Sequence, residues 1–453
     1  MSTKLIDGKS VPATRSELDL FSVPATQVAV EHSQWNEFQL KNSMANTEDA
    51  SYEFQISANP QMLQLSKNYL LIEARITDAS GNPIKAKSRN ATDTADVDNP
   101  YTGPIQALGK TFIKQVKVYL NGTECFDSGP HYAYRAFLET ELSFGWESKS
   151  TLLTASGYEG DTLVGNTVDD VRNTGFLARC APYRDGNYVQ LMSPLHCDLF
   201  QQDRYLINNI DVRIVIYRNT NKFCLLNFTT PDEEYKLEIR SMRLFMKSVD
   251  VLKSISLGLE KTLKMYSVKY PVRRVDVRTQ FVSEGRRSTP ENSLYNGIIP
   301  RRMIIGCVSA AAYHGNLGKS PFQFGNFDLT DIYINAGGVI IPSKRFALDF
   351  KNNMFTRAYV QLFEGLGIAG EDTGNMITLS KFKNSHCLHC FDLSATEDDT
   401  GNNWNVARTG STSIQLDFGT PIPDGGIFVI VLSEFDSLLT VDAHRNVFAD
   451  YKQ

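Results

Sequence analysis

The stretch that most limits what this chain can become runs from Gln115 to Gly145, QVKVYLNGTECFDSGPHYAYRAFLETELSFG. In QVKVYL, Val116, Val118 and Leu120 share one face while Gln115, Lys117 and Tyr119 share the other, the period of a half-buried strand. Asn121-Gly122 follows, a pair that tolerates the positive φ angles of a type I′ hairpin turn. Ser128-Gly129-Pro130 then suits a helix start, because proline at a first helical position lacks only an N–H that has no partner anyway. Tyr134, Phe137, Leu138, Glu141 and Leu142 recur at helical spacing, and Gly145 is placed to cap the end.

A second, fainter copy of this plan lies some two hundred residues on. LTDIYINAGGVII (329–341) reads as strand, Gly337-Gly338 turn and strand, and it leads into TRAYVQLFEGLG (356–367). Arg135-Ala136-Phe137-Leu138 aligns with Arg357-Ala358-Tyr359-Val360. The same order of hairpin and helix, twice, predicts two related β-domains in tandem. The two aligned arginines read as buried charges, each paired with a carboxylate, or else as exposed surface residues.

A length of 453 residues fits two cores better than one. Strand patterns recur at Tyr69–Thr77, Asn209–Tyr217, Tyr235–Met246, Ser267–Val277, Met303–Val308, Asp331–Ile341, His386–Leu393, Thr412–Phe418 and Ile427–Phe435. Long polar loops separate them, including KAKSRNATDTADVDNP (85–100) and 148–173. The fold class expected is therefore all-β, two tandem eight-stranded sandwiches of jelly-roll type with short helices in the loops. The predicted boundaries are an N-terminal arm at 1–50, a first jelly roll at 51–247, a helical connector at 248–266, a second jelly roll at 267–440 and a C-terminal tail at 441–453. The arm carries SVPAT twice, at Ser10–Thr14 and Ser22–Thr26, and proline there favours extended chain that lies along a neighbouring subunit or along its own domain surface. AHRNVFADYKQ at the other end reads as a docked tail.

No run approaches eighteen apolar residues and the first ten residues lack a signal-peptide core, so a soluble protein made in the cytosol is expected. Seven scattered cysteines (125, 180, 197, 224, 307, 387, 390) are then expected to be free buried thiols. The N-x-T triplets at Asn90, Asn121 and Asn227 carry no meaning without secretion. A net charge of −5 argues against a general nucleic-acid binder, yet Lys261–Arg302 holds ten Lys/Arg against three Asp/Glu. That stretch could face an anionic surface.

Three motifs carry chemistry on paper. Gly365, Gly367 and Gly370 spell a dinucleotide fingerprint, but they follow a helical pattern where the fingerprint needs a helix to begin. HCLHC (386–390) offers His386, Cys387, His389 and Cys390 to zinc, but a strand would point them to opposite faces, and no second cysteine pair completes the set. His196 and Asp198 form the His-x-Asp of jelly-roll iron oxygenases, with His314 as the third ligand by order alone. None has the context its chemistry needs. No catalytic, cofactor or metal residue is assigned, and no enzyme is expected.

The chain resembles the double jelly-roll major capsid proteins of Polinton (Maverick) elements, adintoviruses and Polinton-like viruses. The resemblance runs from Ser16 to Tyr451 and is carried by SELDLFSVPATQ, NYLLIEARIT, VYLNGTECFDSGPHYAYRAFLETELSFG, LFQQDRYLINNIDVRIVIYRN, KYPVRRV, PRRMIIGCV, IYINAGG, RAYVQLFEGLG and HRNVFADY. It implies a structural subunit of the virion: a homotrimer with a pseudo-hexagonal outline that tiles an icosahedral shell around double-stranded DNA. Trimer–trimer contacts, penton and minor capsid proteins would be its partners. No sequence-specific nucleic-acid binding is implied, only non-specific contact between the 261–302 stretch and packaged DNA. The rival readings are a minor capsid or spike protein, a domesticated copy of a capsid gene, and the iron oxygenase.

Overall fold

The computed structural model describes residues 15–48, 50–84, 102–396 and 404–449, with Lys9 and Ala13. The first SVPAT, apart from Ala13, and the 85–100 loop with Asn90 lie outside the described residues. Eight strands build the two main sheets of the first half: β1 (Val30–Gln39), β2 (Ser51–Ile56), β3 (Met62–Asp78), β4 (Ile113–Leu120), β5 (Thr123–Asp127), β6 (Val189–Ser193), β7 (Val212–Arg218) and β8 (Tyr235–Val251), beside a small two-stranded ribbon of Thr102–Pro104 and Leu225–Asn227. Eight more build the second: β9 (Val268–Val282), β10 (Ser293–Ile298), β11 (Arg302–Ser309), β12 (Leu329–Ala336), β13 (Val339–Ile341), β14 (Leu388–Asp392), β15 (Thr409–Phe418) and β16 (Ile427–Val441). A final strand, β17 (Val447–Ala449), pairs with β16.

The first half forms sheets β1-β8-β3-β6 and β2-β7-β4-β5. The second forms β9-β16-β11-β14 and β10-β15-β12-β13. Adding eight to every label turns the first pair of sheets into the second. Each half is a jelly roll, and the chain folds the same topology twice.

Local chemistry explains the pieces. In β4, Val116, Val118 and Leu120 face the core, and in β7 Val212, Ile214 and Ile216 do, so period-two patterning holds. Asn121 (φ 48°) and Gly122 (φ 80°) make the hairpin between β4 and β5, and Gly337 (62°) and Gly338 (89°) make its counterpart between β12 and β13. After each hairpin comes a helix: α1 (Tyr132–Ser143), entered through a 3-10 turn at Gly129–His131, and later α3 (Thr356–Leu366). Between the halves lies α2 (Lys253–Leu263).

Several expectations need correcting. The predicted arm contains β1, which pairs along its length with β8, so Val30–Gln39 belongs to a sheet. β8 runs on to Val251 and β16 to Val441, beyond the expected domain ends. Gly145 is no left-handed cap: its φ is −82°, and α1 ends because Phe144 turns extended. Gly367, with φ 74°, does cap α3. β2, β6 and β10 were not foreseen, being short strands beside bends and loops.

Candidate functional site

One small cleft is lined by titratable groups, Cys125, Asp127, Asp198, Arg274 and Asp276. The most densely built place in the molecule is the seam where α1 of the first jelly roll meets the second. Ten of the twelve residues of α1 are buried, with Tyr134 and Phe137 turned across the boundary. Phe137 stacks on Phe322 with ring centroids 4.2 Å apart and planes 6° from parallel. Tyr134 stacks on Tyr313 at 6.0 Å and meets Phe322 edge-on at 5.8 Å. Tyr313 in turn lies 3.9 Å from Phe428 of β16. Such pairs add to the area they bury, so the seam is held like a core rather than a loose domain contact.

Two buried ionic clusters flank these rings. In the first, Arg135, 1 % exposed, bonds Glu139 at 2.8 Å and Asp198 at 2.7 Å. Asp198 also accepts the backbone N–H of Val275 in β9 at 3.2 Å, so the cluster bridges both jelly rolls. Burial pushes the Glu139 carboxyl up, but Arg135 and His196 outweigh it and hold the group at about 2. Asp198 goes the other way, because burial prevails over its arginine. Behind them Lys110 donates to Thr140 Oγ1 at 2.9 Å, and burial lowers its pKa to about 8.

In the second cluster Lys149 Nζ lies 3.0 Å from Glu141 and donates to the Asn375 carbonyl at 2.8 Å, again across the seam. Tyr158 donates to Glu141 at 2.8 Å, and His386 approaches the same carboxylate at 3.6 Å. Burial raises the Glu141 pKa, yet Lys149 and His386 bring it below the usual carboxylate range. Buried charges of this kind tolerate no sliding of one half against the other, since a lost partner leaves a bare charge. These ion pairs lock the two halves together.

The sequence candidates fall into place accordingly. Arg135 is the buried paired charge expected of it. Arg357 is not: it is exposed, and its guanidinium donates to the carbonyls of Lys344 and Arg345 and lies over the Phe346 ring. His196 bonds Glu139 at 2.6 Å and Asp198 serves Arg135, while His314 packs edge-on to Phe428 in the other jelly roll. In HCLHC, His386 takes Ser385 and Glu141 as neighbours, and Cys387 lies 3.5 Å from His389, which packs against Phe346 and Phe382. Among the described residues no group of three or more His, Cys, Asp or Glu is placed to hold a metal. Gly365 lies inside α3 and Gly367 ends it, so the fingerprint glycines close a helix where a phosphate site needs one to begin. All seven cysteines are free and buried.

The basic stretch is partly consumed by structure. Arg301 bonds Asp436 at 3.1 Å and Arg302 bonds Glu434 at 2.8 Å, both largely buried, and Arg278 bonds Asp276. Lys261, Lys264, Lys269, Arg273, Arg286 and Arg287 are exposed, so most of the stretch stays on the surface. No described helix is long and apolar enough to cross a membrane. The partners of α1 escaped sequence reading, although Phe322 and Phe324, two apart in PFQFGNF, carried the one usable signal.

No protein-family model matches the chain. An uncharacterized protein of Caenorhabditis elegans, F54H12.2, is 29% identical over 432 residues, spanning 94% of this chain and 99% of that one. Among solved structures, the Sputnik virophage aligns at a TM-score of 0.61 with 12% identity, covering 99% of this chain and 94% of the other. The PBCV-1 virus capsid aligns at 0.60 with 8% identity, over 96% and 100%. The mavirus major capsid protein aligns at 0.54 with 12% identity, over 99% and 97%. These neighbours are double jelly-roll viral capsid proteins, and the fold of this chain is theirs.

Proposed function

We propose that this chain is a viral major capsid protein of the Polinton and adintovirus kind. Three copies associate as a pseudo-hexameric capsomer, and capsomers tile an icosahedral shell around a double-stranded DNA genome. One observation carries the reading: the double jelly roll aligns end to end with capsid subunits, leaving neither chain a large unmatched part. The seam supports it, because a facet tile has to behave as one rigid block. The chain's place is the virion, its partners are further copies of itself with penton and minor capsid proteins, and it performs no catalysis. Its working units are the arm ahead of β1, the two jelly rolls, the α2 connector and the tail.

The relative in an animal, matched along almost its whole length, favours one second reading: a copy kept by a host and retired from virion assembly. Expression of the chain followed by negative-stain imaging separates them. Hexagonal particles that assemble into closed shells support the virion subunit. Hexagonal particles that never close, with or without added minor capsid proteins, support the retired copy. Irregular monomers contradict both.

A further inference from the structure

The cluster around Glu141 holds one group that an ion pair does not need. Glu141 and Lys149 each have a side chain 2 % exposed, and Lys149 Nζ lies 3.0 Å from the carboxylate. The same Nζ donates to the main-chain carbonyl of Asn375, 226 residues further along and in the other jelly roll. Asn375 is itself buried, at 1 % exposure. Its Oδ1 accepts the Ile377 N–H at 3.1 Å, which fixes the carboxamide. Its Nδ2 is buried and has no hydrogen-bond partner among the described residues. An amide N–H left bare in a protein interior is costly, and this one sits beside a buried ammonium.

Amine, carboxylate and carboxamide held together away from water are the components of an amide transfer. Lysine is a nucleophile only as the free amine, and burial favours that form by lowering the Lys149 pKa. Glu141 touches Nζ and is a carboxylate, the form that accepts a proton. Tyr158 donates to its Oε2, and His386 lies 3.6 Å from its Oε1, so the group is held in place. Cγ of Asn375 is separated only by Cα and Cβ from the carbonyl that Nζ already bonds. A small shift of the flexible lysine stem therefore brings the amine against it. Groups so confined react as if at very high concentration. Lys110 provides the contrast: it is also buried, but its ammonium meets Thr140 Oγ1 and His196 Nε2, neither of them an acyl group.

We propose that Lys149 and Asn375 join in an isopeptide bond, with Glu141 carrying the protons, so that the two jelly rolls are tied covalently across their seam. The Lys149 ammonium first passes a proton to Glu141. The free amine attacks Cγ of Asn375 and forms the Nζ–Cγ bond. Glu141 gives its proton to Nδ2, the Cγ–Nδ2 bond breaks, and ammonia leaves. The new amide nitrogen then passes its second proton to Glu141, which ends as a neutral acid. One buried ion pair and one bare amide nitrogen are replaced by an amide and a protonated carboxyl, and no oxidant or other reactant enters. The reaction happens once per molecule and does not depend on the capsomer reading.

Peptide mapping of the purified, denatured chain by mass spectrometry is the test. A digest is expected to contain a branched peptide that joins Lys149 to Asn375, lighter by one ammonia than its two arms together. Recovery of both residues only in linear peptides overturns the proposal. So does an ammonia deficit confined to the peptide of Asn375, because that marks an asparagine cyclised on its own backbone. Glu141→Gln cannot carry a proton and is expected to abolish the branched peptide while Lys149 and Asn375 remain. A folded Glu141→Gln chain that is fully linked overturns the role given to Glu141. Should that variant fail to fold, the branched peptide of the unaltered chain decides by itself whether the bond exists.

Discussion

Replacing Arg135 by methionine would strand two buried carboxylates, Glu139 and Asp198, without the cation that both contact. Breaking a buried pair of this kind costs about 3–5 kcal/mol. The same change at Arg357, exposed and bonded only to backbone carbonyls, should move chain stability by about 0.5 kcal/mol or less. Urea unfolding of the two variants measures the gap, and equal losses would contradict the account of the seam. His389 makes a second residue-scale case. Burial among aromatic rings brings its pKa down to about 4, against about 6.5 in an unfolded chain. As pH falls, the unfolded state takes up the proton first, so the stability present above pH 6.5 drains away towards pH 4. The loss from this residue is up to about 3 kcal/mol. His196 and His386, also lowered by burial, add to the same slope. In His389→Leu the decline between pH 6.5 and 4 should be shallower than in the unaltered chain, as read from thermal midpoints. An unchanged slope would mean that His389 is protonated in the fold.

At the scale of elements, α3 shows how a motif can mislead. The Gly365-x-Gly367-x-x-Gly370 spacing answers to packing, not to phosphate. A Cβ at Gly365 would stand 2.5 Å from the Cys390 carbonyl oxygen, so glycine is what lets α3 sit down on β14. Gly365→Ala should cost about 1–3 kcal/mol as the helix is pushed off the strand. Gly370→Ala, with nothing near the added carbon, should cost about 0.5 kcal/mol or less. Denaturant midpoints of the pair check this, and equal effects would argue against close packing as the reason. What the sequence revealed and what it hid follow the same logic. Both hairpins were legible because Asn121-Gly122 and Gly337-Gly338 state their turn geometry locally. The alternation in β4 and β7 was legible because one face meets a core. β1 was not, since VEHSQWNEFQ buries no residue within the chain and so shows no apolar period. The seam was hidden for a different reason: Phe137 meets Phe322 across some two hundred residues of sequence, and no local pattern encodes that distance.

At the scale of the whole molecule, the same strand order occurs twice and the halves are joined by a buried, charge-locked seam. In a chain built so, each jelly roll spends one face on the other. Its cysteines are buried, and His196, His386 and His389 are buried in ion pairs or among aromatic rings, while His32 and His444 are exposed. The faint repeat between residues 115–145 and 329–367 announced this architecture, because tandem copies of one domain keep the turns that set register even after most side chains have changed. The solution mass of the purified chain, read by multi-angle light scattering, tests the central claim most directly. A particle of about 152 kDa, three chains of 50.8 kDa, is the predicted result. A stable species of about 51 kDa at every concentration, folded by circular dichroism, would contradict it.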